Sequence, residues 1–201
     1  MDRASAYEAE GRRFESFLVR CDDVCVSFLF VGGSLGESQR GFVTSAQASL
    51  DVFGMRLALS EAAQAGMLGE VPVGAVVMLG NVVLGAGGNR RETLLDPTAH
   101  AEILALRNAA KTVRGWRICD ATLYVTQEPC AMCAGAAVNA RIRRLVYGCP
   151  NPKAGAVQTL FQIPKDERLN HRVEVVSGLL AEECGVMLSA FFRSLRASAG
   201  A

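Results

Sequence analysis

The sequence predicts an α/β domain in which a mixed sheet of about five strands is covered by helices on both faces. Three features carry that expectation: an apolar hairpin near residues 71–84, strands that alternate with helices after it, and an amphipathic helix that closes the chain. The ordered pattern starts at Asp51. Val52, Met55, Leu57, Ala58, Leu59 and Ala62 have the spacing of a helix that ends near Gly66. The β-branched run from Val71 to Leu79 then meets Gly80 and Asn81, turn residues that lead into Val82, Val83 and Leu84. Asp96 is placed to cap a helix whose first position is Pro97 and which runs towards Thr112. A strand from Ala121 to Thr126 follows, then a helix starting at Pro129 and a strand from Arg143 to Tyr147. Residues 149–170, with Pro150, Pro152 and Pro164, show little periodicity and read as a long loop with one helical turn near Gln158 to Phe161. Val173 to Val176 is a short strand, and Leu179 to Arg196 offers Leu180, Met187, Leu188, Phe191, Phe192 and Leu195 for burial along one helix face.

A chain of 201 residues with 50% hydrophobic and 20% charged residues is neither a disordered protein nor a small disulfide scaffold. No apolar run approaches the roughly 20 residues of a membrane-spanning helix. Seven cysteines, an odd count, point to reduced thiols, some of them ligands, and to a cytoplasmic protein. Residues 1–50 hold 5 Lys and Arg against 7 Asp and Glu, and residues 51–201 hold 16 against 13. Any nucleic-acid contact must therefore come from a local basic patch and not from the charge of the whole chain. Residues 1–50 read as a flexible extension or as the product of an upstream start, ahead of a catalytic domain over 51–201; the apolar run from Val24 to Val31 fits a signal peptide poorly.

His100, Cys130 and Cys133 are the candidate metal ligands. Two cysteines at i and i+3 share a helix face, and Pro129 ahead of them places that face in the first turn, where unpaired N–H groups and the helix dipole favour thiolates. One imidazole and two thiolates suit Zn2+ and leave its fourth position open, which is the arrangement of a catalytic site. Glu102, two residues after His100, can share the pocket as a proton carrier. Two blander readings stay open: a redox CxxC pair, and a structural zinc site completed by Cys119 or Cys149.

His100-Ala101-Glu102 together with Pro129-Cys130-Ala131-Met132-Cys133 matches the H-x-E…P-C-x-x-C signature of zinc-dependent deaminases. The stretches VPVGAVV, GNR, DPTAHAEILALRNAA, LYVTQEPCAMCAGAAVNARIRRLVYG, NHRVEV and FFR resemble the bacterial tRNA-specific adenosine deaminases over about Met55 to Arg193. The resemblance implies the three-layer α/β/α cytidine deaminase-like fold, one zinc per subunit, a homodimer, and the tRNA anticodon stem-loop as partner, with arginine tRNA expected. It implies that a flipped adenosine is attacked at carbon 6 by water activated at zinc. Glu102 would carry the water's proton to ring nitrogen 1 and then protonate the departing amine, leaving inosine. Asn89 matches the position that hydrogen-bonds the nucleoside, and the Ala101 amide and the Pro129 carbonyl are expected to orient the base. Candidate nucleic-acid contacts are Arg141, Arg143 and Arg144, the densest basic cluster, with Lys153, Asn151, His171, Arg172 and Arg193; Arg90, Arg91 and Arg196 are further cations. Gln127 and Asn151 depart from the usual pattern, which has an apolar and an acidic residue there. The loss of that negative charge bears on how the protein separates RNA from single-stranded DNA. A deaminase of a free nucleobase or nucleotide shares HAE and PCxxC and is the alternative. A zinc-stabilised RNA-binding module would have no use for Glu102.

Overall fold

The computed structural model describes residues 37–199. Helix α1 (Glu37–Met67) precedes the hairpin β1 (Gly74–Leu79) and β2 (Val82–Gly88), a short helix α2 (Arg91–Leu94), and helix α3 (Ala101–Val113). Strand β3 (Thr122–Gln127), helix α4 (Ala131–Asn139) and strand β4 (Arg144–Cys149) follow, and a 3-10 turn (Ile163–Lys165), strand β5 (Glu174–Ser177) and helix α5 (Ala181–Ala199) complete the chain. The five strands lie in the order β2-β1-β3-β4-β5, with β1 antiparallel to both β2 and β3, and β3, β4 and β5 parallel. The mixed α/β/α architecture expected from the sequence is present.

Strand alternation divides the core in two. Ala75, Val77, Leu123, Val125 and Leu145 face Ala105, Ala109, Ala134 and Val138 of α3 and α4. Val76, Met78, Tyr124 and Val146 point the other way, to Met55, Ala58 and Leu59 of α1 and Cys184 and Leu188 of α5. Small residues let the layers approach closely: a Cβ on Gly74 would overlap the Ala58 carbonyl and the Ala62 nitrogen, and one on Gly85 would overlap the backbone of Ala105 and Ala109.

A buried carboxylate ties three elements together. Asp51 of α1 accepts from the Tyr124 hydroxyl of β3 at 2.9 Å and from both terminal nitrogens of Arg144 of β4 at 2.9 and 3.1 Å. Burial alone would raise the Asp51 carboxyl, but the bonds from Arg144, Gln47 and Tyr124 outweigh it and hold the group below its usual range.

The structure corrects several boundaries. Helix α1 begins at Glu37, ahead of Asp51, so the end of the expected extension is helical; residues 1–36 lie outside the described residues. Asp96 does not cap α3. Its carboxylate accepts from the Thr98 amide and hydroxyl, both at 2.7 Å, closing a local turn, and His100, itself extended, is the last residue before the helix begins. The helical turn of the long loop lies at Ile163–Lys165, where Pro164 can start it, and not near Gln158.

Replacing Asp51 by Ala leaves the Arg144 guanidinium short of a partner, and chemical denaturation is expected to show a loss of about 3–5 kcal/mol at pH 7. The folded pKa of Asp51 is depressed, so its contribution is present above the unfolded carboxylate pKa of about 4 and lost as pH falls through the folded value. The gap between wild type and D51A should therefore narrow below pH 4, and a gap that stays constant to pH 2 would disprove the linkage.

Candidate active site

Two helix N-termini meet at the C-terminal end of β3. His100 is the residue before α3 and Cys130 the residue before α4, both extended, with φ −72° and −73°. Cys133 sits one turn into α4 and is fully buried. The His100 Nδ1 lies 3.7 Å from the Cys130 sulfur and 3.6 Å from the Cys133 sulfur. All three donor atoms are within 4.8 Å of one another, and no other such cluster occurs among the described residues. Neither Cys119 nor Cys149 joins them; the Cys149 thiol donates to the Thr126 carbonyl at 3.5 Å. A set of three soft and borderline donors, one end open, suits a catalytic zinc site better than a closed structural one.

The thiols share a proton unevenly. A hydrogen bond from Cys133 pulls Cys130 down to about 4, with help from His100 and against burial, while the same bond and burial push Cys133 well up. His100 is raised, chiefly by its bond to Cys130. Zinc binds imidazole in its neutral form and cysteine as thiolate, so a metal ion arriving here would displace any proton held by His100 or Cys133. Glu102, 4% exposed, stands in the first turn of α3 outside the ligand set, and burial raises its carboxyl. A buried acid with a raised pKa beside an open metal position can both take up and return a proton.

The cluster opens into a cavity of about 980 Å³ whose lining includes Asn89, His100, Ala101, Glu102, Gln127 and Cys130. Its far wall comes from the loop after β4, with Asn151 and Lys153, and from α5, with Phe192, Arg193 and Arg196.

A family model described as "MafB19-like deaminase" matches residues 51–196. The tRNA-specific adenosine deaminase of Bacillus subtilis is 50% identical over 142 residues, covering 71% of this chain and 88% of the relative. The chain belongs to the tRNA-specific adenosine deaminase family. The Haemophilus influenzae enzyme of the same name is likewise 50% identical, over 143 residues, covering 71% of this chain and 83% of its own. A solved structure from studies of A-to-I editing by tRNA:A34 deaminases at the wobble position is 46% identical, with a TM-score of 0.65, covering 68% of this chain and 99% of that one.

Two buried carboxylates shape the site of this deaminase, and sequence reading missed both. Glu70, 1% exposed, accepts from the Asn89 side-chain amide at 3.3 Å and from the Glu92 and Thr93 amides at 3.3 and 2.7 Å. Because a carboxylate only accepts, Glu70 orients Asn89 with its NH2 inward and its carbonyl oxygen elsewhere, as an acceptor at the cavity wall. Glu128, also 1% exposed, accepts from the amides of Asn151, Val157, Gln158 and Thr159 at 2.8–3.1 Å and from the Thr159 hydroxyl. It helps hold the loop after β4 beside Pro129 and Cys130, where Ala156 donates to the Pro129 carbonyl. Burial would raise both carboxyls, yet these donors bring each below its usual range.

Other expected contacts are not where the deaminase site is. Arg141, Arg143 and Arg144 stand at the start of β4, and because β3 and β4 are parallel that is the end of the sheet away from the metal ligands. Arg144 is also committed to Asp51 and Glu174. His171 donates to the Ile142 carbonyl at 2.7 Å, and Arg172 lies beside it in sequence and is exposed, so this segment belongs to the same far end. The Pro129 carbonyl accepts from the Ala156 amide at 2.8 Å and holds the loop in place of a base; Pro129 itself is absent from the cavity wall. Density of positive charge in a sequence does not report which end of a strand carries it. Arg91, Lys153, Arg193 and Arg196 are the cations that do line the cavity, whereas Arg90 does not.

Glu128→Ala would strand four amides and a hydroxyl. The expected cost is about 3 kcal/mol or more, and hydrogen exchange at Val157, Gln158 and Thr159 should accelerate before global unfolding. Unchanged protection there would show that the loop is held by other means.

Proposed function

We propose that this protein hydrolytically converts adenosine to inosine at the wobble position of a tRNA anticodon, arginine tRNA first among them, and releases ammonia. The observation that carries the reading is a buried carboxyl, Glu102, beside an open His-Cys-Cys cluster at the floor of a cavity with basic walls. His100, Cys130 and Cys133 would hold one zinc ion, which supplies a polarised water with a pKa of about 7. Glu102 accepts the water's proton and delivers it to ring nitrogen 1 as the C–O bond forms at carbon 6. It then takes the proton of the new hydroxyl on carbon 6 and passes it to the exocyclic nitrogen, so that the C–N bond breaks, the carbonyl forms and ammonia departs. Adenosine and water become inosine and ammonia, and Glu102 ends as it began.

Asn89, held by Glu70, presents an acceptor to the nucleoside, and the Ala101 amide at the start of α3 offers a donor. Lys153, Arg193 and Arg196 suit phosphates that flank the flipped nucleotide. Asn151 supports a wall less negative than a carboxylate would make it. A homodimer is part of the proposal, with exposed Met132 of α4 among the apolar side chains available for it. A cytoplasmic location accords with Cys130, Cys133, Cys149 and Cys184 standing outside any disulfide. No helix among the described residues is long and apolar enough to cross a membrane. Residues 1–50 are proposed to lie outside the catalytic domain.

Zinc-loaded protein should form inosine in an arginine tRNA anticodon stem-loop. Glu102→Ala should lower the rate by about 10²–10⁴ or more while zinc content stays at one per chain. Ammonia release from free bases or nucleosides alone would move the protein to the small-molecule deaminases, and full activity of E102A would remove the proton-carrier role. Glu70→Gln turns an acceptor into a partial donor opposite Asn89; a rise in KM with native thermal stability is the expected signature.

A further inference from the structure

The cations that the site does not use gather at the other end of the molecule. Lys111 and Arg114 close α3, Arg117 lies just beyond, and Arg141 and Arg143 precede β4. Backbone bonds hold these segments together: Ile118 donates to the Ala140 carbonyl at 2.7 Å and Arg143 to the Ala121 carbonyl at 3.0 Å. Arg172 adjoins them through His171, which donates to the Ile142 carbonyl. None of these six cations takes part in an ion pair found among the described residues. The acids nearby are Asp120, Glu167, whose backbone carbonyl accepts from Arg172, and Glu174, which is bonded to Arg144. The result is a local excess of positive charge on a chain whose net charge is only +1.

In the same patch the Trp116 side chain is 47% exposed. The Arg117 guanidinium carbon lies 4.5 Å from its ring centroid. A flat ring backed by a guanidinium and ringed by cations is the combination that binds phosphates and stacks bases. Helix α3 runs from the metal ligands to this patch, and its 13 residues separate the two by about 20 Å. That is beyond the neighbours of a flipped nucleotide but within the span of a folded RNA.

We propose that this end of the domain is a second RNA-binding surface, which takes phosphates of the substrate tRNA outside its anticodon loop, with Trp116 as a stacking platform. The inference rests on the wobble-deaminase reading for the identity of the RNA.

Trp116 is the chain's one tryptophan, so its emission reports on this surface alone. Zinc-loaded full-length protein should be titrated with full-length arginine tRNA and with a hairpin of the anticodon loop on a short stem. Full-length tRNA should quench Trp116 and the hairpin should not. Lys111→Ala and Arg114→Ala should each raise KM several-fold for full-length tRNA, leave kcat and the hairpin KM unchanged, and reduce the slope of log Kd against log salt by about 1. Hairpin deamination with Trp116 emission unmoved by full-length tRNA overturns the second surface and spares the wobble reading. Equal KM increases for both RNAs also overturn it, since they would mean a general electrostatic effect. If neither RNA is deaminated, the wobble reading falls and takes this partner with it.

Discussion

Three donor atoms from two helices have to lie within 4.8 Å of one another, and most of the molecule is arranged around that requirement. His100 stands just ahead of a helix and not within one. Cys130 holds the matching extended position before α4. Both helices must then start at one end of the sheet. The right-handed crossover between parallel β3 and β4 places the start of α4 beyond the end of β3, and the antiparallel hairpin brings Gly85 and Gly87 of β2 hard against α3. Close packing is what turns an approximate convergence into a ligand set.

Sites of this kind concentrate groups that resist burial, and here two of them are answered by donors and not by a mobile counter-ion. Glu128 collects five donors and Glu70 three, so both stay ionised although nearly sealed from water. Glu102 has been left without comparable support, and its carboxyl rises. The contrast is electrostatic: donors hold two of the carboxyls below their usual range, while burial without comparable donors raises the third. Three glutamates of one composition thus differ in their readiness to ionise, according to the number of N–H and O–H groups aimed at them.

The hairpin, the alternation of strands and helices, and the grouping of His100, Cys130 and Cys133 were legible in the sequence, because period-2 runs and the paired HAE and PCxxC leave a local imprint. What was not legible is long-range. Asp51 reads as the edge of an ordered region, yet it is a buried anchor whose partners Tyr124 and Arg144 lie far along the chain. Asp96-Pro97 has the form of a helix start, but Thr98 offered the carboxylate a nearer pair of donors. Glu70 and Glu128 carry no signature, since a lone acid beside a strand is ordinarily solvated; only the three-dimensional fold shows the amides pointed at them. The arginines of 141–144 form the densest basic run, and sheet direction alone decides that they face away from the metal ligands.

Charge is therefore distributed along the strand axis with opposite effects at its two ends. At the C-terminal ends of β3 and β4, helix N-termini and Lys153, Arg193 and Arg196 place positive charge around a cavity that also holds a few buried acids. At the other end, Arg144 is neutralised internally by Asp51 and Glu174, and that neutralisation is what allows β4 to begin with a charged residue that is only 12% exposed. Its exposed neighbours keep their charge. A protein with almost no net charge can in this way offer an RNA two separate positive surfaces without the self-repulsion that a uniformly basic chain would carry.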